Sequence, residues 1–467
     1  MKKKLFIPYR TVIAALLLLS TITGCKKLIE IPANPPTQIT QAQQFGDSTT
    51  TMTALAGVYT YAASTGIGFA YDDGLQAEIT PVSADELLAT SSTEPVLSLF
   101  YNYSVLPNNG YLSQLWANHY TNLYSVNAIL AGVAGNTQLS LSFRNQVTGE
   151  MKVLRSFYYF NLVNLFGGVP VVTSTDYRVN SRLPRSTVDS VYSKIISDLT
   201  DAQKLLKPGY PVNDRYRPNL YVANALLSRV YLYRQQWQKA YDAANSVISS
   251  GIYSLVQDPG NVFLDNSTEA LWQLPATGPQ VVTQDAQNFV PYSNTVVPPF
   301  PVSTFLLSAF ETGDTRKQKW LGTATSGGQI YYYPYKYKNI LTTAAKREDY
   351  MILRLAELYL IRAEALQHLG RNSDALSDVN TVRRRAGLTD SKADPSSDSS
   401  VSDAIMHERQ VELFCEWGHR WYDLKRTGSA TTVLSQEKSG FKGFQQLYPI
   451  PLAQLQANNL LQQNPGY

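Results

Sequence analysis

Residues 219–250, NLYVANALLSRVYLYRQQWQKAYDAANSVISS, decide the fold once they are laid beside residues 354–385, RLAELYLIRAEALQHLGRNSDALSDVNTVRRR. The two register at a shift of about 135 residues: Leu226 falls on Ile361, Val230 on Ala365, Ala240 on Ala375, Ala244 on Val379 and Val247 on Val382. Each stretch reads as a helix, a tight turn (Gln235-Gln236-Trp237 in one, Gly370-Arg371-Asn372 in the other) and a second helix. Alanines fall where two helices must approach closely.

A helix–turn–helix unit of this length is the roughly 34-residue tetratricopeptide pattern, and such units need several copies to bury a continuous core. Two further pairs are legible. From Asn145 to Phe166 the apolar positions Val147, Met151, Leu154, Tyr158, Leu162 and Leu165 recur at three and four, and Gly167-Gly168-Val169-Pro170 ends the run. Ser186-Thr187-Val188-Asp189 reads as a capping box opening a helix with the stripe Val188, Tyr192, Ile195, Leu199, Ala202 and Leu206. Helical stretches at 50–63 and 114–133 supply another pair. The expected fold is therefore mostly α, a tetratricopeptide-like helical-repeat scaffold of about four helix pairs, with units near 50–133, 147–206, 219–250 and 352–386. Long Tyr-, Pro- and Gly-rich insertions at about 64–111 and 253–347 interrupt it, and loops of that length usually carry function.

The N-terminus sets location. Lys2, Lys3, Lys4 and Arg10 precede an apolar run from Val12 to Leu19, the shape of a secretory signal and too short to span a bilayer. Ile22-Thr23-Gly24-Cys25 follows, the pattern cut by the lipoprotein signal peptidase, so Cys25 is the expected lipidated first residue. The division expected is signal peptide 1–24, proline-rich tether 25–44 and a single domain 45–467. With Cys25 acylated, Cys415 has no disulfide partner and reads as a buried thiol.

Removing the signal lowers Lys plus Arg from 40 to 36, matching 36 Asp plus Glu. A neutral body argues against a nucleic-acid partner, which shows as a basic excess or stripe. Tyrosine is abundant, 31 against 16 Phe and 6 Trp, and suits half-wet contact surfaces where a ring face packs and a hydroxyl bonds.

Several blocks resemble the SusD/RagB family of outer-membrane nutrient-binding lipoproteins. Residues 150–162, EMKVLRSFYYFNL, running into Phe166-Gly167-Gly168-Val169-Pro170 look like that family's central helix and exit turn. Residues 352–365, ILRLAELYLIRAEA, look like its last tetratricopeptide unit. Glu408-Arg409, Glu412-Leu413, Glu416 and residues 418–426, GHRWYDLKR, are similar to its C-terminal helix and turn. Leu447-Tyr448-Pro449-Ile450-Pro451 and Gln463-Asn464-Pro465-Gly466-Tyr467 match its closing segment. The resemblance implies a cell-surface lipoprotein, anchored in the outer membrane, that captures oligosaccharides or polysaccharide fragments and delivers them to a SusC-like TonB-dependent transporter without chemistry. Capture of a non-sugar nutrient such as peptide, and a lipid-anchored glycoside hydrolase, are the alternatives.

Side-chain chemistry agrees with binding. Glu408, Glu412 and Glu416 stand at i, i+4, i+8 beside Arg409 and ahead of Arg420, and read as an interlocked Glu–Arg network. His119, His368, His407 and His419 show no ligand spacing and no Cys pairs exist, so neither a metal nor a cofactor is expected. Asp72-Asp73 and Asp85-Glu86 are the acid pairs a hydrolase would need, but adjacent carboxylates rarely flank one bond. Aromatic loops are the positive sign of a sugar site, because the C–H face of a pyranose lies on a ring while amides and acids bond its hydroxyls. Burying about 80 Å² of such a face is worth on the order of 2 kcal/mol. The candidates are Tyr71, Asp72, Tyr101, Asn102 and Tyr103 from the first insertion, and Tyr292, Asn294 and Trp320 from the second. The run from Tyr331 to Tyr337 alternates like a strand and faces either a hairpin partner or the transporter.

Overall fold

The apolar stripes fold into helices that pack in chain order. A computed structural model of the protein describes residues 39–62, 75–89, 94–276, 282–341, 346–438 and 440–467; the signal, Cys25 and most of the tether lie outside them. The scaffold helices are α1 (Ser48–Ala62), α2 (Gly110–Val133), α3 (Leu141–Phe166), α4 (Val188–Leu205), α5 (Leu220–Tyr233), α6 (Trp237–Ile248), α7 (Leu355–His368), α8 (Asn372–Arg385), α9 (Asp398–Leu413) and α10 (His419–Arg426). From α1 to α8 each packs on the next, and α9 covers both α7 and α8. The matched pair of the repeat is equivalent in burial too: Leu226, Val230, Ala240, Ala244 and Val247, and their counterparts Ile361, Ala365, Ala375, Val379 and Val382, are all buried.

Local chemistry explains the boundaries. α3 starts a turn earlier than its stripe suggests because the Ser140 hydroxyl accepts from the Phe143 N–H, capping the helix. α4 is capped by Thr187, which accepts from Ser190 N, and no capping box forms with Asp189. Val188 points outward as a result, and Val191 takes the buried place beside Tyr192, Ile195, Leu199 and Ala202. Gly168 follows α3 where a Cβ would stand 2.3 Å from the Ser186 carbonyl oxygen, so only glycine allows the exit chain to pass.

The described parts of the two insertions carry regular elements of their own. The first holds short helices at Gln76–Ser83 and Leu97–Tyr101. The second is closed at its base by β1 (Ala270–Leu274) pairing antiparallel with β4 (Tyr350–Arg354), both wholly buried. Within it, β2 (Leu321–Ser326) and β3 (Gln329–Pro334) form a hairpin, so the first part of the alternating tyrosine run has a hairpin partner, one of its two readings. Gly327 and Gly328, both at positive φ, supply its two-residue turn. No helix among the described residues is long and apolar enough to cross a membrane.

Candidate functional site

The acid row mounts the second insertion on the scaffold. Glu408 and Glu412, on α9, accept from Arg316 Nη1 at 2.6 and 2.8 Å, and Glu416, just past the helix, accepts from Arg354 Nε at 2.8 Å. Arg385 and Arg354 also reach Glu412. Arg316 and Lys336 belong to the insertion, and the Lys336 ammonium bonds the Glu412 carbonyl at 2.9 Å and the Glu416 carboxylate. The row is thus an ion-pair network as expected, with different cations. Arg409 pairs with Asp423 and Arg420 with Asp85, because both guanidiniums lie on other sides of their helices.

Electrostatics accord with that geometry. Burial alone would raise the Glu412 carboxyl, yet Arg385, Arg354 and Arg316 hold it well below the ordinary range. Burial would lower the Arg316 guanidinium, but Glu408, Glu412 and Asp314 keep it well above. The acid pair Asp85-Glu86 is interior as well: Asp85 is bound by Arg420 at 2.7 Å, and burial, with Asp85 adjacent, raises Glu86 to about 8. These two carboxyls therefore face protein, not a solvent cleft.

The insertions meet each other along Leu87 and Val302, which form an antiparallel bridge, with Leu88 N donating to Pro301 O at 2.8 Å and Ser303 N to Glu86 O at 2.9 Å. Beyond this seam the sequence candidates separate. Tyr292 is 87% exposed, and Asn294 is exposed while its carbonyl accepts from Thr325 N at 2.7 Å, fixing this loop to β2. Thr325 faces the exposed Ile330 across the hairpin, so Asn294 and Ile330 lie at one exposed corner with Tyr292 two residues away, while half-buried Tyr331 pairs with buried Ala324 on the other hairpin face.

Tyr101, Asn102 and Tyr103 sit instead on the C-terminal segment. The Lys438 ammonium lies 4.3 Å from the Tyr101 ring, and Tyr103 is buried against Phe441 with its hydroxyl donating to Ser83 O at 2.6 Å. Asn102 is exposed. Trp320 is a correction: it is fully buried, its indole N–H donates to Pro259 O at 2.7 Å, and Lys336, Arg385 and Arg354 surround its ring. A ring with both faces occupied offers no platform, and Tyr103 is withdrawn for the same reason. Tyr71 and Asp72 lie outside the described residues. Ile330, absent from the sequence candidates, stands one residue before the alternating tyrosine run, whose period of two places neighbours on opposite hairpin faces.

The histidines are structural: His119 Nδ1 lies 2.6 Å from Leu115 O, His368 stacks on Trp237, and His407 Nε2 lies 2.8 Å from Ala309 O. Cys415 is a buried free thiol.

A family model described as "SusD family" matches residues 309–467, and one described as "Starch-binding associating with outer membrane" matches residues 53–232. A SusD-like protein of Formosa agariphila is 27% identical over 423 residues, covering 78% of this chain and 83% of its own. The starch-binding protein SusD of Bacteroides thetaiotaomicron is 35% identical over a shorter stretch, 127 residues, 26% of this chain and 22% of that one. A SusD superfamily protein of Bacteroides vulgatus superposes with a TM-score of 0.78 at 22% identity, over 91% of this chain and 100% of the other. A laminarin-binding SusD-like protein does so with a TM-score of 0.73 at 24% identity, over 90% and 100%. The two matched segments, the SusD-like relatives and the shared helical architecture give one answer: this chain belongs to the SusD family.

Proposed function

We propose that the protein is a lipid-anchored, cell-surface nutrient-binding protein that captures oligosaccharides or polysaccharide fragments and hands them to a SusC-like TonB-dependent transporter in the outer membrane, doing no chemistry itself. The observation that carries this reading is the exposed ring of Tyr292 beside the exposed amide of Asn294, on a loop fixed to β2 and held on a scaffold whose interior charges are consumed in pairing. A ring with neighbouring amides fits the amphipathic face of a sugar. The names of relatives, one starch-binding and one laminarin-binding, support the same ligand class. Two or three such platforms give affinities of roughly micromolar to millimolar, which suits capture followed by release.

Isothermal titration of the purified protein against starch, laminarin, xylan and mannan oligosaccharides tests the reading. Binding to at least one, weakened tenfold or more by Tyr292→Ala, is the expected result. Binding to peptides with none to any glycan would replace sugar by another nutrient. Reducing-sugar release, lost in an Asp72→Asn or Asp85→Asn variant, would make it a hydrolase instead. Palmitate labelling of the full chain, absent in Cys25→Ser, tests the anchor, and co-purification with the barrel tests the partner.

A further inference from the structure

A second concave site lies away from the insertions, between the outer face of α2, the segment after α3 and the C-terminal helix Leu452–Ala457. It encloses about 370 Å³, within the usual range of small-molecule sites. α2 presents Trp116, Tyr120 and Tyr124 at i, i+4, i+8, so the rings climb its surface in steps of about 6 Å. Trp116 and Tyr120 form the floor, their ring centroids 5.1 Å apart. Tyr124, 55% exposed, and Tyr177, 77% exposed, stand at the edges.

The walls are fixed before any ligand arrives. Tyr120 donates its hydroxyl to Pro170 O at 2.9 Å, Tyr159 exchanges hydrogen bonds with the Val172 backbone at 2.6 and 2.8 Å, and Asn127 donates to Val172 O at 3.0 Å. The C-terminal wall is held by Asn458, which donates to Leu183 O at 2.9 Å. Preformed walls spare a ligand the cost of ordering them.

Its chemistry is selective. Every lining residue is uncharged, so nothing favours an anion or a cation. The polar groups are amides and hydroxyls, among them Thr175, Ser181 and Gln454. Asn180, a lining residue, donates through Nδ2 to Ser174 O at 2.7 Å, while its buried Oδ1 finds no protein donor. A buried acceptor of this kind calls for a hydroxyl donor. Ring faces, neutral amides and an unmet acceptor describe an uncharged pyranose.

We propose that this groove on α2 is a second saccharide site, binding a short neutral glycan segment between Tyr124 and Tyr177 independently of the Tyr292 corner. It rests on the glycan-binding reading, and the experiment separates the two. Maltoheptaose, laminarihexaose, xylohexaose and mannohexaose are titrated into wild type, a Tyr124→Ala/Tyr177→Ala variant, a Tyr292→Ala variant and Asn180→Leu. Both tyrosines are exposed enough that their truncation spares the fold, which thermal melting checks. For the sugar that wild type binds, two equivalents are expected. Tyr292→Ala retains one of them, and the double variant loses that one or weakens it at least tenfold, with Asn180→Leu weakening it in the same direction. If the double variant titrates like wild type, or Tyr292→Ala abolishes all binding, the second site is overturned and the first reading stands. If the double variant binds sugar normally but fails to co-purify with a transporter, the groove is a protein contact and the proposal falls. Wild type that binds none of the four overturns both.

Discussion

Replacing Glu412 with Gln removes one charge from the most densely paired region of the interior while keeping shape. Glu412 is fully buried and accepts from Arg316, Arg354 and Arg385. Glu269, Asp314, Glu408 and Glu416 stand around the same cations, with Arg383 at the edge bound chiefly by Glu311, so the variant removes the one carboxylate that three buried guanidiniums share. Breaking a buried pair by removing one partner costs about 3–5 kcal/mol. Each arginine keeps another acid, Arg316 through Asp314 and Glu408 and Arg354 through Glu269 and Glu416, which places the expected loss near 4 kcal/mol. Urea unfolding followed by tryptophan fluorescence measures it.

The pH dependence has a definite sign. Glu412 has a depressed folded pKa, so its stabilisation is present above the ordinary carboxyl range near 4.5 and is lost as pH falls toward the folded value. Wild type should lose stability faster than Glu412→Gln on acidification below pH 4.5. Adding Arg385→Gln to the variant should recover part of the loss, since Arg385 has then lost its nearest carboxylate and keeps only Glu269 at 3.4 Å. A loss below about 1 kcal/mol at neutral pH with unchanged slope, or full additivity of the two substitutions, would refute the argument that Glu412 neutralises the guanidiniums around it.

Other outcomes follow from single sites. Glu86, raised to about 8 by burial and Asp85, holds a proton that the unfolded chain releases near 4.5, so stability falls as pH climbs between those values; Glu86→Gln should match wild type near pH 4.5 and melt higher at pH 8, and an equal gap at both would exclude this cause. Gly168→Ala drives a Cβ against the Ser186 carbonyl and should cost about 1–3 kcal/mol, read from thermal melting; no change would mean the exit chain gives way. Trp320→Ala should cost about 3–5 kcal/mol as a core truncation, whereas Tyr292→Ala should stay within about 0.5 kcal/mol. The reverse order of melting points would contradict the burial assigned to these rings.

Much of the scaffold was legible because helix periodicity is local. Val147 to Leu165 and the paired stretches at 219–250 and 354–385 mark their buried faces by spacing alone, and the helices appear where those stripes run. The site was legible only in part. Tyr292 and Asn294 lie on the surface as expected, yet Trp320 and Tyr103 do not, since nothing near an insertion residue in sequence says what will cover it. The stretch 114–133 was legible as a helix, but the groove beside Trp116, Tyr120 and Tyr124 exists only because the segments at 170–181 and 454–461 arrive from far along the chain.

By itself the sequence determined that this chain pairs amphipathic helices in repeat, and that Glu408, Glu412 and Glu416 must be neutralised. Only tertiary structure decided by whom, selecting Arg316, Arg354 and Arg385 over the nearer Arg409 and Arg420. Spacing fixes which face of a helix a side chain occupies, whereas charge partners and exposure follow from which distant elements close over that face.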